Sequence, residues 1–135
     1  MAREIAVQAL YEMDQTDEAW PRPLADNAAR RNANDTARAY AERLLRAVGE
    51  HRADIRAVLG AAIENWSLDR VAMVDRCVLE IATAEILYFE DVPLAAIIDE
   101  AVAVVRKFST DESGAFVNGV LDRVARARAT GSGGG

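Results

Sequence analysis

Residues Val71 to Phe108 read VAMVDRCVLEIATAEILYFEDVPLAAIIDEAVAVVRKF, and this stretch decides the fold class. Apolar side chains recur at helical spacing through Val71, Val74, Val78, Ile81, Ala82, Ile86 and Phe89. Ser67 is a good N-cap ahead of them. Asp91-Val92-Pro93 interrupts the pattern, because a residue before proline is pushed out of the helical region. Pro93 suits the first turn of a new helix, where its missing N–H costs nothing. That helix carries Leu94, Ile97, Ile98, Ala101, Val102, Val105 and Phe108. Two apolar-striped helices joined by a tight turn predict an all-α bundle, with the final pair of helices in the chain, the most hydrophobic, at its centre.

The flanks extend the same reading. Ser109 to Ser113 is polar, and a last helix buries Phe116, Val117, Val120, Leu121 and Val124. Upstream, Ile5, Ala6, Ala9, Leu10 and Met13 make residues 2–16 an amphipathic helix. Asp17 to Asn34, with Pro21 and Pro23, reads as a long connection with at most one helical turn. Asp35 or Thr36 caps a helix with the apolar face Tyr40, Leu44, Leu45 and Val48, which Gly49 ends. A further helix carries Ile55, Val58, Leu59, Ala62 and Ile63 and stops near Trp66. No strand pattern competes. Residues 1–129 form one domain, and 130–135 read as a flexible Gly/Ser tail.

Composition narrows the chemistry. The single Cys77 rules out a disulfide framework and a cysteine zinc site, and His51 is the only histidine. Cys77, between Val74 and Val78, reads as a small buried hydrophobe, and His51 as a solvated or terminus-capping side chain. No glycine-rich phosphate loop or nucleophile motif is present, so no cofactor, no metal and no catalysis are expected. Asp99-Glu100 do not pair, since adjacent helical residues point about 100° apart. No stretch approaches the roughly 18 apolar residues of a membrane helix, and no secretory leader is visible. A soluble, cytoplasmic binding protein is the expectation.

Charge is uneven. Sixteen basic and 22 acidic residues give a net charge of −6, yet residues 21–60 carry +3 and 101–135 carry +2. Residues 61–100 carry −7, a stretch that suits a basic partner. The runs Asp14 to Glu18 and Glu85 to Asp91 read as solvated faces. Gly119 inside an apolar helix costs about 1 kcal/mol relative to alanine, which points to close helix approach there, with Asn118 satisfying a buried carbonyl.

Several pieces together resemble the NusB family of transcription antitermination factors. They are Ala2-Arg-Glu, Ala6-Val-Gln-Ala-Leu-Tyr11, Val71 to Ala82, Glu85-Ile-Leu-Tyr88, Asp91-Val-Pro93, Ile97-Ile-Asp-Glu-Ala101 and Phe116-Val-Asn-Gly-Val-Leu-Asp122. The resemblance spans residues 2 to about 126. It implies a seven-helix bundle in two packed helical subdomains, without catalytic activity. It also implies pairing with the ribosomal protein NusE, and binding of the heterodimer to boxA in nascent ribosomal RNA. RNA polymerase then reads through terminators, and some members form homodimers.

Carried over by position, Arg3, Tyr11, Asp111, Glu112 and Ser113 are the implied RNA contacts, the last three in the loop before the final helix. Tyr11, Asp75 and Arg76 are the implied NusE contacts, while Phe116, Asn118, Gly119 and Leu121 belong to core packing. The chain departs from the family pattern in lacking a run of arginines ahead of Ala2-Arg3-Glu4. It departs again at Gly114-Ala115, which stand where basic residues are common. Either the natural start lies upstream, or the lower positive charge on the expected RNA face leaves RNA affinity more dependent on NusE. The alternatives are a NusB-like scaffold, or a detached domain of a ribosomal RNA cytosine methyltransferase, with weak or no RNA binding of its own.

Overall fold

The structure, a computed structural model, describes residues 1–64 and 67–134, with side chains up to Arg128. Six α-helices and one short 3-10 turn make up the described residues, with no strand among them. They are α1 (Ala2–Thr16), α2 (Pro21–Arg30), α3 (Asp35–Ala62), α4 (Met73–Tyr88), α5 (Leu94–Phe108) and α6 (Asp111–Gly134). The resemblance implies seven helices and the described residues hold six: α2 adds one to the six read from apolar spacing, and two of those six merge into α3.

First, the connection after α1 contains a helix. Asp17 closes α1 in the left-handed region (φ 61°), a conformation short polar side chains tolerate, and its N–H donates to the Met13 carbonyl. Pro21 and Pro23 then fall in the first turn of α2, where their missing N–H groups have no helical partner to lose. Leu24 and Ala28, one turn apart, are buried, and Asn27 donates to the Pro23 carbonyl at 2.8 Å. Tertiary burial overrides the local proline signal.

Second, Gly49 does not end its helix. The α3 hydrogen-bond ladder continues through a kink at His51 (φ −123°, ψ 21°), joining two segments that the sequence separates. The His51 ring stacks on Tyr88 of α4, with centroids 4.0 Å apart and planes 20° apart. Asn34, not Asp35 or Thr36, is the cap: its Oδ1 accepts the Ala37 N–H at 2.8 Å. α3 closes at Ala62, and the expected stop at Trp66 lies outside the described residues.

Ser67 precedes the 3-10 turn Leu68–Arg70 without a capping bond, and α4 starts only at Met73. α4, rather than the final helix pair, is the central element: it packs against α1, α3, α5 and α6 and has an unbroken buried run from Cys77 to Ile86. Ile5 and Leu10 of α1, Leu44 and Ile55 of α3, Ile97 of α5 and Leu121 of α6 pack in the same continuous core. The Asp91–Pro93 link is short as expected, with Pro93 as the N-cap of α5. α6 begins at Asp111, so Asp111, Glu112 and Ser113 form its first turn and not a loop. Its helical backbone runs to Gly134, into the stretch read as a tail.

The expectation at Asn118-Gly119 is corrected. Asn118 is exposed, and a Cβ on Gly119 would meet only Arg123 Nη1, at an ordinary 3.7 Å. The tight position is Gly114, where a Cβ would stand 2.7 Å from Arg106 Nε.

Candidate functional site

α4 carries two glutamates with no exposed surface, Glu80 and Glu85, on a helix that otherwise buries apolar side chains. A buried carboxylate costs several kcal/mol unless paired, and each one is. Arg3 of α1 donates to both Glu85 oxygens, Nε to Oε1 at 2.8 Å and Nη2 to Oε2 at 2.5 Å. The Tyr40 hydroxyl of α3 donates to Glu85 Oε2. Hydrogen bonding to Glu85 holds the Arg3 pKa above the ordinary arginine value. Burial, then the bond to Glu85, raises the Tyr40 phenol. One carboxylate thus ties α1, α3 and α4 together, and Glu100 of α5 lies 3.5 Å from Arg3 Nη1.

Glu80 accepts from Arg52 at 3.1 Å and from Arg56 at 2.8 Å, both on α3. Arg52 also donates to both oxygens of Asp14 at 2.8 Å. Burial opposes the Arg52 charge, but Asp14 and Glu80 outweigh it and hold its pKa above the usual value. Asp14 and Glu85 are therefore not parts of solvated faces, which corrects the sequence reading at these two positions, while Asp17, Glu18, Glu90 and Asp91 are exposed as expected. The missed signal is a glutamate embedded in an apolar run such as EIATAEI, since unpaired glutamate is almost never fully buried. Cys77 is buried as expected, and burial, followed by the Asp14 charge, pushes its thiol up to about 12.

The second cluster joins two groups of implied site residues. Asp75, in the first turn of α4, is 6% exposed, and its Oδ2 accepts from Ser113 Oγ of α6 at 2.8 Å. Ser113 is set by Thr110, whose Oγ1 accepts the Ser113 N–H at 3.1 Å as a helix cap, and by Ser109 Oγ at 3.0 Å. The other Asp75 oxygen and the Arg76 Nε are buried without a hydrogen-bond partner. A cleft of about 190 Å³ is lined by Arg70, Val71, Ala72, Asp75 and Phe116. A buried carboxylate oxygen left unpaired beside a cleft is costly unless water or a ligand reaches it.

The other implied residues are placed as follows. Asp111 and Glu112 are exposed on the first turn of α6, next to Ser113. Tyr11 is half-buried against the core, two turns beyond Arg3 on α1. No hydrogen bond among the described residues links Tyr11 or Arg3 to the Asp75–Ser113 pair. Arg3 faces Glu85, with its side chain 21% exposed. Of the nine acids in residues 61–100, Asp75, Glu80 and Glu85 are buried, so that face is less negative than the sequence count. Among the described residues no helix is long and apolar enough to cross a membrane, and no group of three or more His, Cys, Asp or Glu is placed to hold a metal.

The NusB family model matches residues 1–126. The chain is 39% identical to the transcription antitermination protein NusB of Sorangium cellulosum (strain So ce56) over 123 residues, 91% of this chain and 88% of that protein. Its fold matches T. maritima NusB with a TM-score of 0.85 at 34% identity, covering 93% of this chain and 88% of the other. It also matches a chain in a structure of the antitermination factors NusB and NusE in complex with dsRNA, with a TM-score of 0.86 at 27% identity, covering 93% and 94%. Matched from its first residue through most of α6, in sequence and in helix arrangement, the chain belongs to the NusB family.

Proposed function

We propose that this chain is a non-catalytic transcription antitermination factor that pairs with the ribosomal protein NusE and, as a heterodimer, binds boxA RNA of nascent ribosomal RNA. The observation that carries the reading is the Asp75–Ser113 hydrogen bond. It sets the implied partner residues on α4 beside the implied RNA residues on α6, so one surface serves both. Asp75 and Arg76 take the partner, Asp111, Glu112 and Ser113 take RNA, and Tyr11 touches both. Arg3 meets RNA with its exposed edge, while Glu85 holds most of its charge. The family's two packed subdomains correspond to α1–α3 and α4–α6.

The same reading places the heterodimer in the cytoplasm, on RNA polymerase as it transcribes, and allows the free chain to self-associate as some family members do. Positive charge is short here: Arg3, Arg52 and Arg56 serve buried carboxylates. RNA affinity therefore comes mainly from the heterodimer, and for single strands the salt slope is about −0.7 per phosphate neutralised. The detached methyltransferase domain is not favoured, since the relative and the solved structures match over most of their own lengths.

A titration of labelled boxA RNA with this chain, with NusE and with both tests the reading. A shift that needs both proteins supports it. Failure of the mixture to bind RNA, or of the two proteins to associate, defeats it.

A further inference from the structure

We propose that Arg106 grips an RNA phosphate at the junction of α5 and α6. The inference rests on the reading of the first turn of α6 as an RNA contact and names a residue beyond those implied above.

Arg106 sits in the last turn of α5, and only Ser109 and Thr110 separate α5 from α6. Its side chain lies across α6 because residue 114 has none: a Cβ there would stand 2.7 Å from Arg106 Nε and 3.0 Å from Cγ. Gly114 thus seats a guanidinium on the surface of α6. The charge stays available. Arg106 is 56% exposed, and its one ion-pair partner among the described residues is Asp111, itself 98% exposed and 4.0 Å away. A pair so long and so exposed contributes little. Arg3, Arg52 and Arg56, by contrast, are held by fully buried carboxylates, and the neighbouring Lys107 is paired with Glu4 at 3.1 Å.

The guanidinium lies at the edge of a groove of about 470 Å³ between α5 and α6. Ala103 and Ala115 line it with small side chains beside the bare Gly114, and the exposed Asn118 also lines it. Pockets of roughly 300–1,000 Å³ accept small-molecule-sized groups, so a nucleotide fits. A planar guanidinium matches two phosphate oxygens at once, and such contacts position a strand without reading its sequence. The exposed guanidinium disfavours a cationic protein partner and favours an anionic group, which on the functional reading is the RNA backbone. Asp99 also lines the groove and disfavours an anion beside it, so the phosphate is placed at the Arg106 end.

The test uses the complex with NusE and measures RNA binding by fluorescence anisotropy from low to moderate salt. Arg106→Ala should weaken binding about 5- to 10-fold near 0.1 M salt and reduce the magnitude of the salt slope by about 0.7. The fold loss should be the same for boxA and for a scrambled strand, because a phosphate contact is sequence-blind. Gly114→Leu should reproduce part of the loss at unchanged net charge by displacing Arg106, and Arg106→Lys should keep the slope. Arg126→Ala, about 18 Å further along α6, should change neither. If Arg106→Ala leaves affinity and slope intact while the unmodified complex binds RNA, Arg106 is not the contact and the functional reading survives. A loss confined to NusE binding also overturns the assignment. An unmodified complex that binds no RNA overturns both.

Discussion

Arg3, in the first turn of α1, and Glu85, near the end of α4, hold each other through two hydrogen bonds of 2.8 and 2.5 Å across 82 residues of sequence. The pair is a long-range fastener at the start of the chain, and the orientation of α1 depends on it. Truncating one partner leaves the other as an uncompensated buried charge, which costs about 3–5 kcal/mol. Arg3→Ala should fall at the lower end, about 3 kcal/mol, because Arg3 keeps some solvent contact. Urea unfolding followed by circular dichroism measures this. The double change Arg3→Met with Glu85→Leu should recover much of the loss, and equal destabilisation of single and double variants would rule out pairing as the cause.

The Asp75–Ser113 bond predicts a separation of stability from binding. Asp75→Asn keeps shape and removes charge, so thermal stability should change by less than about 1.5 kcal/mol. Association with a basic partner should weaken about tenfold or more, since a nearly buried interfacial charge is lost. Calorimetry of the variant against NusE checks this, and unchanged affinity would remove Asp75 from the interface.

Tyr11 and Val120 make a matched comparison. Val120→Asp puts an unpaired charge at a fully buried position and should prevent folding. Tyr11→Asp alters a half-buried side chain and should leave a cooperative melt while impairing the complex with NusE and RNA. Equal melting losses from the two changes would contradict an interface role for Tyr11.

Cys77 gives a pH signature. Its thiol is raised to about 12 in the folded chain from an ordinary value of 9.0, with burial as the main cause. A group whose folded pKa is raised contributes stability that is complete below pH 9 and is lost as pH rises toward 12. Cys77→Ala should therefore flatten the alkaline decline between those values, whatever it costs in packing. A thiol reagent at pH 8 should label Cys77 only after unfolding. Rapid labelling of the native chain would show that the thiol is not sealed.

The sequence by itself determined the all-α class, the apolar faces of α1, α4, α5 and α6, the turn at Pro93 and the family, but not which helix is central. These are set by local periodicity and by an ordered series of motifs, and a linear reading carries both. Only the tertiary structure decided that residues 21–30 are helical, because burial of Leu24 and Ala28 outweighs the proline signal. It alone decided that Gly49 does not end α3. The placement of Asp14, Glu80 and Glu85 was equally hidden, since whether a carboxylate is solvated or buried depends on which arginine lies opposite it, and those arginines stand 24 to 82 residues away. The hydrogen bond from Ser113 to Asp75 and the seat of Arg106 on Gly114 have the same character. A helix pattern fixes which face turns inward; what that face meets is fixed only when distant helices pack.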